Sequence, residues 1–373
     1  MLFKECLDIP CGLRFMFDQL QLQSSCGRSR MLNASMMLSR QDIEASYSVL
    51  RNCYSRLYKQ TGGNASSSLA ALKHRLMCLR DISGTIERLQ KNLVLDDVDL
   101  FDIRENLSSM LLGHIAEIKG AIDAISDLDI LLAKCLQIKI MGLCLPSIAE
   151  DCTTEYKGLF HPYIVHVYES QAALGGKKKT FQPVDLSFGL ESVTIIGANM
   201  GGKSVVLKMA ALNQLLFQFG FGVAAREAAI DIKEDIRVCI GDDQDLSSGL
   251  SSFAGEVKAI DNVIRGVRSG SRLLALIDEP ARTTNPIEGT ALVEALLNIL
   301  KDRNISVLMT THYNVPGDFF RRLKVRGLSD GKMDYTLTET AEGEIPHEAI
   351  SVARSLGVDP EWLDAAESVL KDK

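Results

Sequence analysis

The chain has 373 residues, of which 46% are hydrophobic and 24% charged. That is an ordinary composition for a soluble globular protein, long enough for two domains and for a core that needs neither disulfide nor metal to hold it. The formal net charge of −7 argues against non-specific grip on a nucleic-acid backbone, which clustered Lys and Arg supply.

The nine cysteines include no CxxC pair and no Cys/His zinc spacing, so they read as reduced thiols of a cytosolic protein. The six histidines form no HExxH-type ligand pair. No apolar run reaches the ~18 residues of a membrane helix. The opening stretch MLFKECLDIPCGLRFMF carries acidic charge and a proline, against a signal peptide. A cytoplasmic protein without a membrane partner is expected.

In chain order, residues 1–150 read as all-α. SRQDIEASYSVLRNCYSRL places an N-cap residue, Ser39, ahead of apolar residues at helical spacing. TGGNASSS breaks the pattern, and LAALKHRLMCLRDISGTIERLQ resumes it with an interruption at Ser83-Gly84. From about Met110 a longer helix is predicted. Ile115, Ile118, Ile122 and Ile125 alternate three- and four-residue steps, and Leu132 continues the stripe past Asp129, a narrow seam for packing along other helices. Pro146 is expected to end the helical region. Beyond it YIVHVYES alternates around Ile164, GGKKKT makes a polar turn and FQPVDLSF follows, which predicts a strand pair. From Val193 the apolar runs VTII, IRVCI, LLALID and VLMTTH alternate with amphipathic stretches, the pattern of an α/β sheet with helices on its faces.

Four stretches carry chemistry. Gly197-Ala198-Asn199-Met200-Gly201-Gly202-Lys203-Ser204 satisfies GxxxxGK[ST] between a strand and a helix. Glycines let backbone N–H groups curl around phosphate oxygens, and the helix N-terminus adds partial positive charge. Lys203 can then reach the β- and γ-phosphates, and the Ser204 hydroxyl can ligate Mg²⁺. In LLALIDEP a strand ends on two carboxylates: Asp278 suits the magnesium, and Glu279 can orient and deprotonate an attacking water. A protein that only sensed nucleotide state could omit the second acid, so its presence favours hydrolysis. In VLMTTHY a strand ends at Thr310-Thr311-His312, with His312 sited to contact a γ-phosphate. DDQDLSSGLSSFAGEV, residues 242–257, opens a helix with Ser and Gly, a second anion-binding surface suited to a nucleotide on another subunit.

In this order GANMGGKS, DDQDLSSGLSSF, LIDEPARTTNPIEG and TTHY resemble the ATPase domain of the MutS mismatch-repair family, within the wider ABC-type ATPases. Upstream, GLFHP and FQPVDLSF look like the family's lead-in to its P-loop, and ISDLDILLAKCL like its lever helix. LMCLRDISGTIERL matches its core helices more weakly. Downstream, IPHEAISVARSLGVDPEWLDAAESVL is similar to its C-terminal helical pair. The likeness covers residues 158–330 best, extends back to residue 75 and is absent before Ser39.

The resemblance implies an α/β P-loop NTPase domain over residues 151–373, preceded by a helical core/lever-like domain over 1–150. A dimerisation segment would occupy about 344–373. It implies a homodimer with composite ATP–Mg²⁺ sites, in which Ser251 and the adjacent Ser252 contact the partner's nucleotide. Phe181 would pack near the adenine, Asn199 near the γ-phosphate or its water, and Asp243 would be metal- or water-linked.

The departures concern what the motor acts on. The residues before Ser39 leave no room for the family's mismatch-reading domain, and its DNA clamp does not fit between the upstream helices and the lever-like helix. The family usually has Gly where Ala281 stands and a Thr-Ser-Thr-like run at Thr284-Asn285-Pro286. Small residues follow Phe253 where the family carries a larger one. Two functions therefore compete: an ATPase acting on DNA, and an ATP-driven reactivating chaperone of a protein client such as a cobalamin-dependent lysine aminomutase. A dimerisation switch without turnover is disfavoured by Asp278-Glu279.

Overall fold

Short helices open the chain: α1 (Phe3–Cys6), α2 (Leu13–Asp18) and α3 (Ser25–Leu32), followed by the longer α4 (Arg40–Tyr58). The structure, a computed structural model, describes residues 1–58, 113–175, 179–197, 202–240, 252–268, 270–282, 284–301, 303–329, 332–341 and 357–371, with isolated positions between them. The Ser39 hydroxyl accepts the Asp42 N–H at 3.1 Å, satisfying an orphan donor at the start of α4 as expected. Helix α5 (Ile115–Met141) carries the isoleucine seam, half-buried up to Ile125 and fully buried at Leu132. It ends at Gly142, whose left-handed φ of +63° closes the last turn, rather than at Pro146. The interruption at Ser83-Gly84 lies outside the described residues.

The expected strand pair forms from different residues. Strand β1 (Ser147–Ile148) and strand β2 (Thr154–Leu159) precede α6 (Pro162–Ala173), and YIVHVYES belongs to this helix. Pro162 at its first turn presets φ and has no N–H to leave unpaired, which favours helix over the alternation. The partner of β2 is β3 (Val184–Phe188), antiparallel with Thr154 opposite Phe188.

The remaining elements are β4 (Ser192–Ile196), α7 (Lys203–Gln218), β5 (Glu227–Ile230), β6 (Asp235–Cys239), α8 (Ser252–Arg268), β7 (Leu273–Ile277), α9 (Pro286–Leu300), β8 (Ile305–Thr310), β9 (Arg321–Ser329), β10 (Lys332–Glu339) and α10 (Pro360–Lys371). A small sheet has the order β1-β5-β2-β3, and a large one β10-β9-β4-β8-β7-β6. In the large sheet every pair from β9 to β6 is parallel, and β10 returns antiparallel. The β9–β10 hairpin was not expected, although two strand-like runs flank Asp330-Gly331, a hairpin signal. Strand β8 sits between β4 and β7, so three parallel strands end side by side at the edge where α/β sheets bind ligands.

Helix α7 is the spine of the core, with thirteen of its sixteen residues buried. A helix apolar nearly all round has to be enclosed, and its buried polar side chains bond to neighbouring segments, with only Gln214 Oε1 among those of Asn213, Gln214 and Gln218 left without a partner. The Asn213 carboxamide oxygen accepts the Ala224 N–H at 2.5 Å, and Gln214 donates to the Asp231 carbonyl at 2.8 Å. Gln218 donates to the carbonyls of Lys233 and Met37, at 2.7 and 3.0 Å, while its own carbonyl accepts the Met37 N–H. The end of α7 is packed into the N-terminal helices. Phe3 meets Phe219 edge-on at 4.9 Å, and the Tyr47 hydroxyl donates to the Phe221 carbonyl at 2.6 Å. Asp129, 1% exposed on α5, accepts the N–H groups of Gln23 and Ser24 and the Ser24 hydroxyl. One continuous apolar core thus runs from Phe3 to Val325.

Candidate nucleotide-binding site

Strand β4 delivers the chain to Gly197, where an added Cβ would lie 3.1 Å from the Val325 Cβ. Strand β9 therefore packs against the entry of the turn without space for a side chain. Gly202 closes the turn at φ +76°, and a Cβ there would lie 3.0 Å from the Tyr335 ring. Lys203 follows as the first residue of α7 and is only 4% exposed. Its ammonium donates to the Gly197 carbonyl at 2.8 Å and lies 3.3 Å from Glu279 Oε1. A buried ammonium is costly unless it is hydrogen-bonded and paired, and here it is both.

The acidic pair sits just beyond β7. The Asp278 N–H donates to the Cys239 carbonyl at 2.9 Å. The Thr310 hydroxyl, at the end of neighbouring β8, donates to Asp278 Oδ1 at 2.6 Å and accepts the Glu279 N–H at 2.9 Å. Glu279 and Ala281 have φ of +45° and +61° on either side of Pro280. This left-handed region is unfavourable for residues with a Cβ, so surrounding contacts must impose it. The Tyr313 hydroxyl donates to the Ala281 carbonyl at 2.7 Å, and the Ala281 N–H donates to the Glu256 carboxylate. His312 follows β8 with its ring 4.1 Å from that of Tyr313. Burial pushes its pKa down, Lys203 and Arg282 act in the same direction and Glu279 opposes them, so the neutral imidazole is favoured.

Beside the turn lies a cleft of about 180 Å³ lined by Ile164, Tyr168, Phe181, Gly202, Val206 and Tyr335 among others. The helical conformation of α6 puts Ile164 and Tyr168, four residues apart, on one face. Gln182 ties the two sides of the cleft together. Its amide nitrogen donates to Asp334 Oδ1 at 2.8 Å, and its oxygen accepts the Tyr335 N–H at 3.2 Å. Further donors from Thr336 hold the Asp334 carboxyl well below the usual carboxylate range.

The structure thus brings Lys203, Asp278, Glu279 and His312 to one edge, with Phe181 across from Gly202 and Ser204 in the first turn of α7. Ser252 opens α8. Ala198, Asn199, Met200, Gly201, Asp243 and Ser251 lie outside the described residues. Sequence reading missed Tyr335, Gln182 and the supports from Thr310, Tyr313 and Glu256, none of which has a local signature. Ala281 had one, as the position where the related pattern carries Gly. Among the described residues no group of three His, Cys, Asp or Glu is placed to hold a metal. One hydroxyl (Ser204) and one carboxylate (Asp278) are hard oxygen donors that suit Mg²⁺ held partly by phosphates.

This fold and this site define an α/β protein whose GxxxxGK[ST] stretch lies at the carboxyl edge of its large sheet. The family model for MutS domain V matches residues 193–325, spanning β4 to β9. Similar proteins include the endonuclease MutS2 of Lactobacillus helveticus, 28% identical over 300 residues that make up 76% of this chain and 36% of that protein. That of Thermus thermophilus is 30% identical over 293 residues, 76% of this chain and 37% of the relative. That of Streptococcus gordonii is 32% identical over 218 residues, 58% and 26%. Residues 193–325 thus carry the MutS family's domain V, and the chain's matches to these three relatives span about a quarter to somewhat over a third of their length.

Proposed function

We propose that the chain binds and hydrolyses ATP with Mg²⁺, and that ATP opens and closes a homodimer whose motion is passed to the helical region of residues 1–150. The observation that carries this reading is the Lys203 ammonium held between the Gly197 carbonyl and Glu279 Oε1, beside an Asp278 fixed by Thr310. Triphosphate oxygens would take over the lysine and release Glu279 to orient water. Ser204 and Asp278 would hold Mg²⁺, which supplies charge neutralisation at the phosphates. Phe181 and Tyr335 would flank the base, His312 would read the γ-phosphate, and Asn199 and Asp243 would serve the nucleotide and its metal. Ser251 and Ser252 would meet the partner subunit's nucleotide.

Helix α7 supports the coupling. Its sixteen residues span about 24 Å at 1.5 Å per residue, from Lys203 at the phosphates to Phe217 against Tyr47 in the N-terminal helices. The relatives' name, endonuclease, supports DNA as the target. The net charge of −7 favours the second reading, remodelling of a protein client such as a cobalamin-dependent lysine aminomutase. Among the described residues no helix is long and apolar enough to cross a membrane.

The test is steady-state ATP turnover, alone and with double-stranded, mismatched and single-stranded DNA, at two salt concentrations. Salt-sensitive stimulation by DNA supports the first target, and a basal rate indifferent to every DNA supports the client. Lys203→Ala should lose turnover. Glu279→Gln should retain ATP and accumulate dimer on sizing. Unchanged turnover in the first, or only monomer with ATP in the second, would overturn the assignment.

A further inference from the structure

Glu256 stands four residues beyond Ser252 on α8, one helical turn along the same face. Its carboxylate reaches out of that helix to accept the N–H of Ala281. The geometry points to Glu256 as a positioning residue that ties the start of α8 to the turn carrying Glu279, an inference that rests on the ATPase reading above.

The turn is a place where such a tie has consequences. Glu279 and Ala281 both hold left-handed backbone around Pro280, at φ +45° and +61°, conformations that relax unless they are held from outside. Thr310 secures the Glu279 N–H, and Tyr313 secures the Ala281 carbonyl at 2.7 Å. The Ala281 N–H is secured by Glu256, a support that comes from α8. The opposite anchor is rigid, because Tyr313 is buried against α9 where Gly289 has no side chain. A Cβ at Gly289 would fall 2.3 Å from the Tyr313 hydroxyl. Tyr313 also packs on His312. Glu256, Ala281, Tyr313 and His312 therefore form a chain of contacts from the first turns of α8 to both groups assigned to the γ-phosphate end of the site. A displacement of α8 by a nucleotide bound at its N-terminus would pull on the Ala281 N–H. Two residues earlier in the same strained turn, it would reorient the Glu279 carboxylate. Engagement of a second subunit would thus be registered as hydrolytic competence rather than as nucleotide affinity.

The test separates kcat from KM in the full chain for wild type, E256A, E256Q and Y313F, with binding of a fluorescent ATP analogue titrated separately. The expected result for E256A is a loss of about tenfold or more in kcat, as for an interaction needed only in the reacting state, with KM and analogue affinity within about twofold. The amide oxygen of E256Q still accepts the Ala281 N–H, so this variant should recover most of kcat. Y313F, which releases the other end of the turn, should lose several-fold in kcat with affinity intact. Wild-type kcat in E256A, equal losses in E256A and E256Q, or a loss confined to KM and affinity would each overturn the inference. Should E256A melt below the assay temperature, Y313F decides, and wild-type kcat in that variant overturns it. Absence of turnover in the wild type would instead sink the ATPase reading itself, and the inference with it.

Discussion

Replacing Thr310 by Val removes one hydroxyl and little volume from a fully buried position at the end of β8. Two hydrogen bonds go with it: the 2.6 Å donation to Asp278 Oδ1 and the 2.9 Å acceptance from the Glu279 N–H. The first has a charged acceptor and is worth about 1.5–3 kcal/mol, since a partly buried carboxylate loses a donor it cannot replace. The second costs about 1 kcal/mol or less, because the Glu279 N–H also lies 3.2 Å from the Thr310 carbonyl. The expected destabilisation is about 2–4 kcal/mol, a downward shift of about 1 M in the urea midpoint on a slope near 3 kcal/mol per M. Far-UV circular dichroism is the suitable probe, because the single tryptophan, Trp362, is 68% exposed on α10. Turnover should fall at least tenfold as both carboxylates lose orientation, about 1.4 kcal/mol or more in the barrier. Thr310→Ser, which keeps the hydroxyl, should restore most of both. A Val variant with the wild-type midpoint and wild-type turnover would refute the reasoning.

The strained turn makes a second prediction: Ala281→Gly relieves a left-handed alanine costing about 1–2 kcal/mol, partly offset by about 0.4–1 kcal/mol of extra unfolded-chain entropy. A modest rise in the urea midpoint is expected, and a fall would show that the Cβ is needed. Tyr335→Ala should weaken ATP binding about tenfold, within the ~1–3 kcal/mol of base–aromatic stacking, with kcat little changed; wild-type affinity by titration would exclude the ring from the base site. His161, 5% exposed and with Nδ1 unpaired, has its pKa pushed down from 6.5 to about 4, first by burial and then by Lys208. The unfolded chain takes up this proton below pH 6.5 and the folded one only near pH 4. Stability is therefore lost as pH falls through that window, by about 2 kcal/mol at pH 5. Urea midpoints at pH 7.5 and 5 should diverge less in His161→Gln than in wild type, and equal divergence would remove His161 as the cause.

How much was legible in the sequence can be followed residue by residue. The GxxxxGK[ST] pattern was readable because its residues are local: four glycines or small residues, a lysine and a serine before and at the start of α7, all within eight consecutive residues. The strands ending at Ile196, Ile277 and Thr310 were readable because parallel strands buried on both faces leave near-continuous apolar runs. YIVHVYES was misread because its polar residues fit a period of two as well as a helix, and Pro162 at the first turn favours the helix. Short apolar stretches carry that ambiguity by themselves.

What only the tertiary structure decided is which distant residues complete the site. The sequence orders the strand of Gly197, the strand of Asp278 and the strand of Thr310, but only the sheet puts the third between the other two, where Thr310 can hold both acids. Tyr335 faces the cleft because Gln182, 152 positions before Asp334, clamps β10 to the segment ahead of β3. Glu256 reaches Ala281 because α8 packs beside β7. A motif records the residues that touch a ligand from one stretch of backbone. The groups that hold those residues in strained positions come from wherever packing brings a donor or acceptor within about 3 Å, and chain order carries no trace of it.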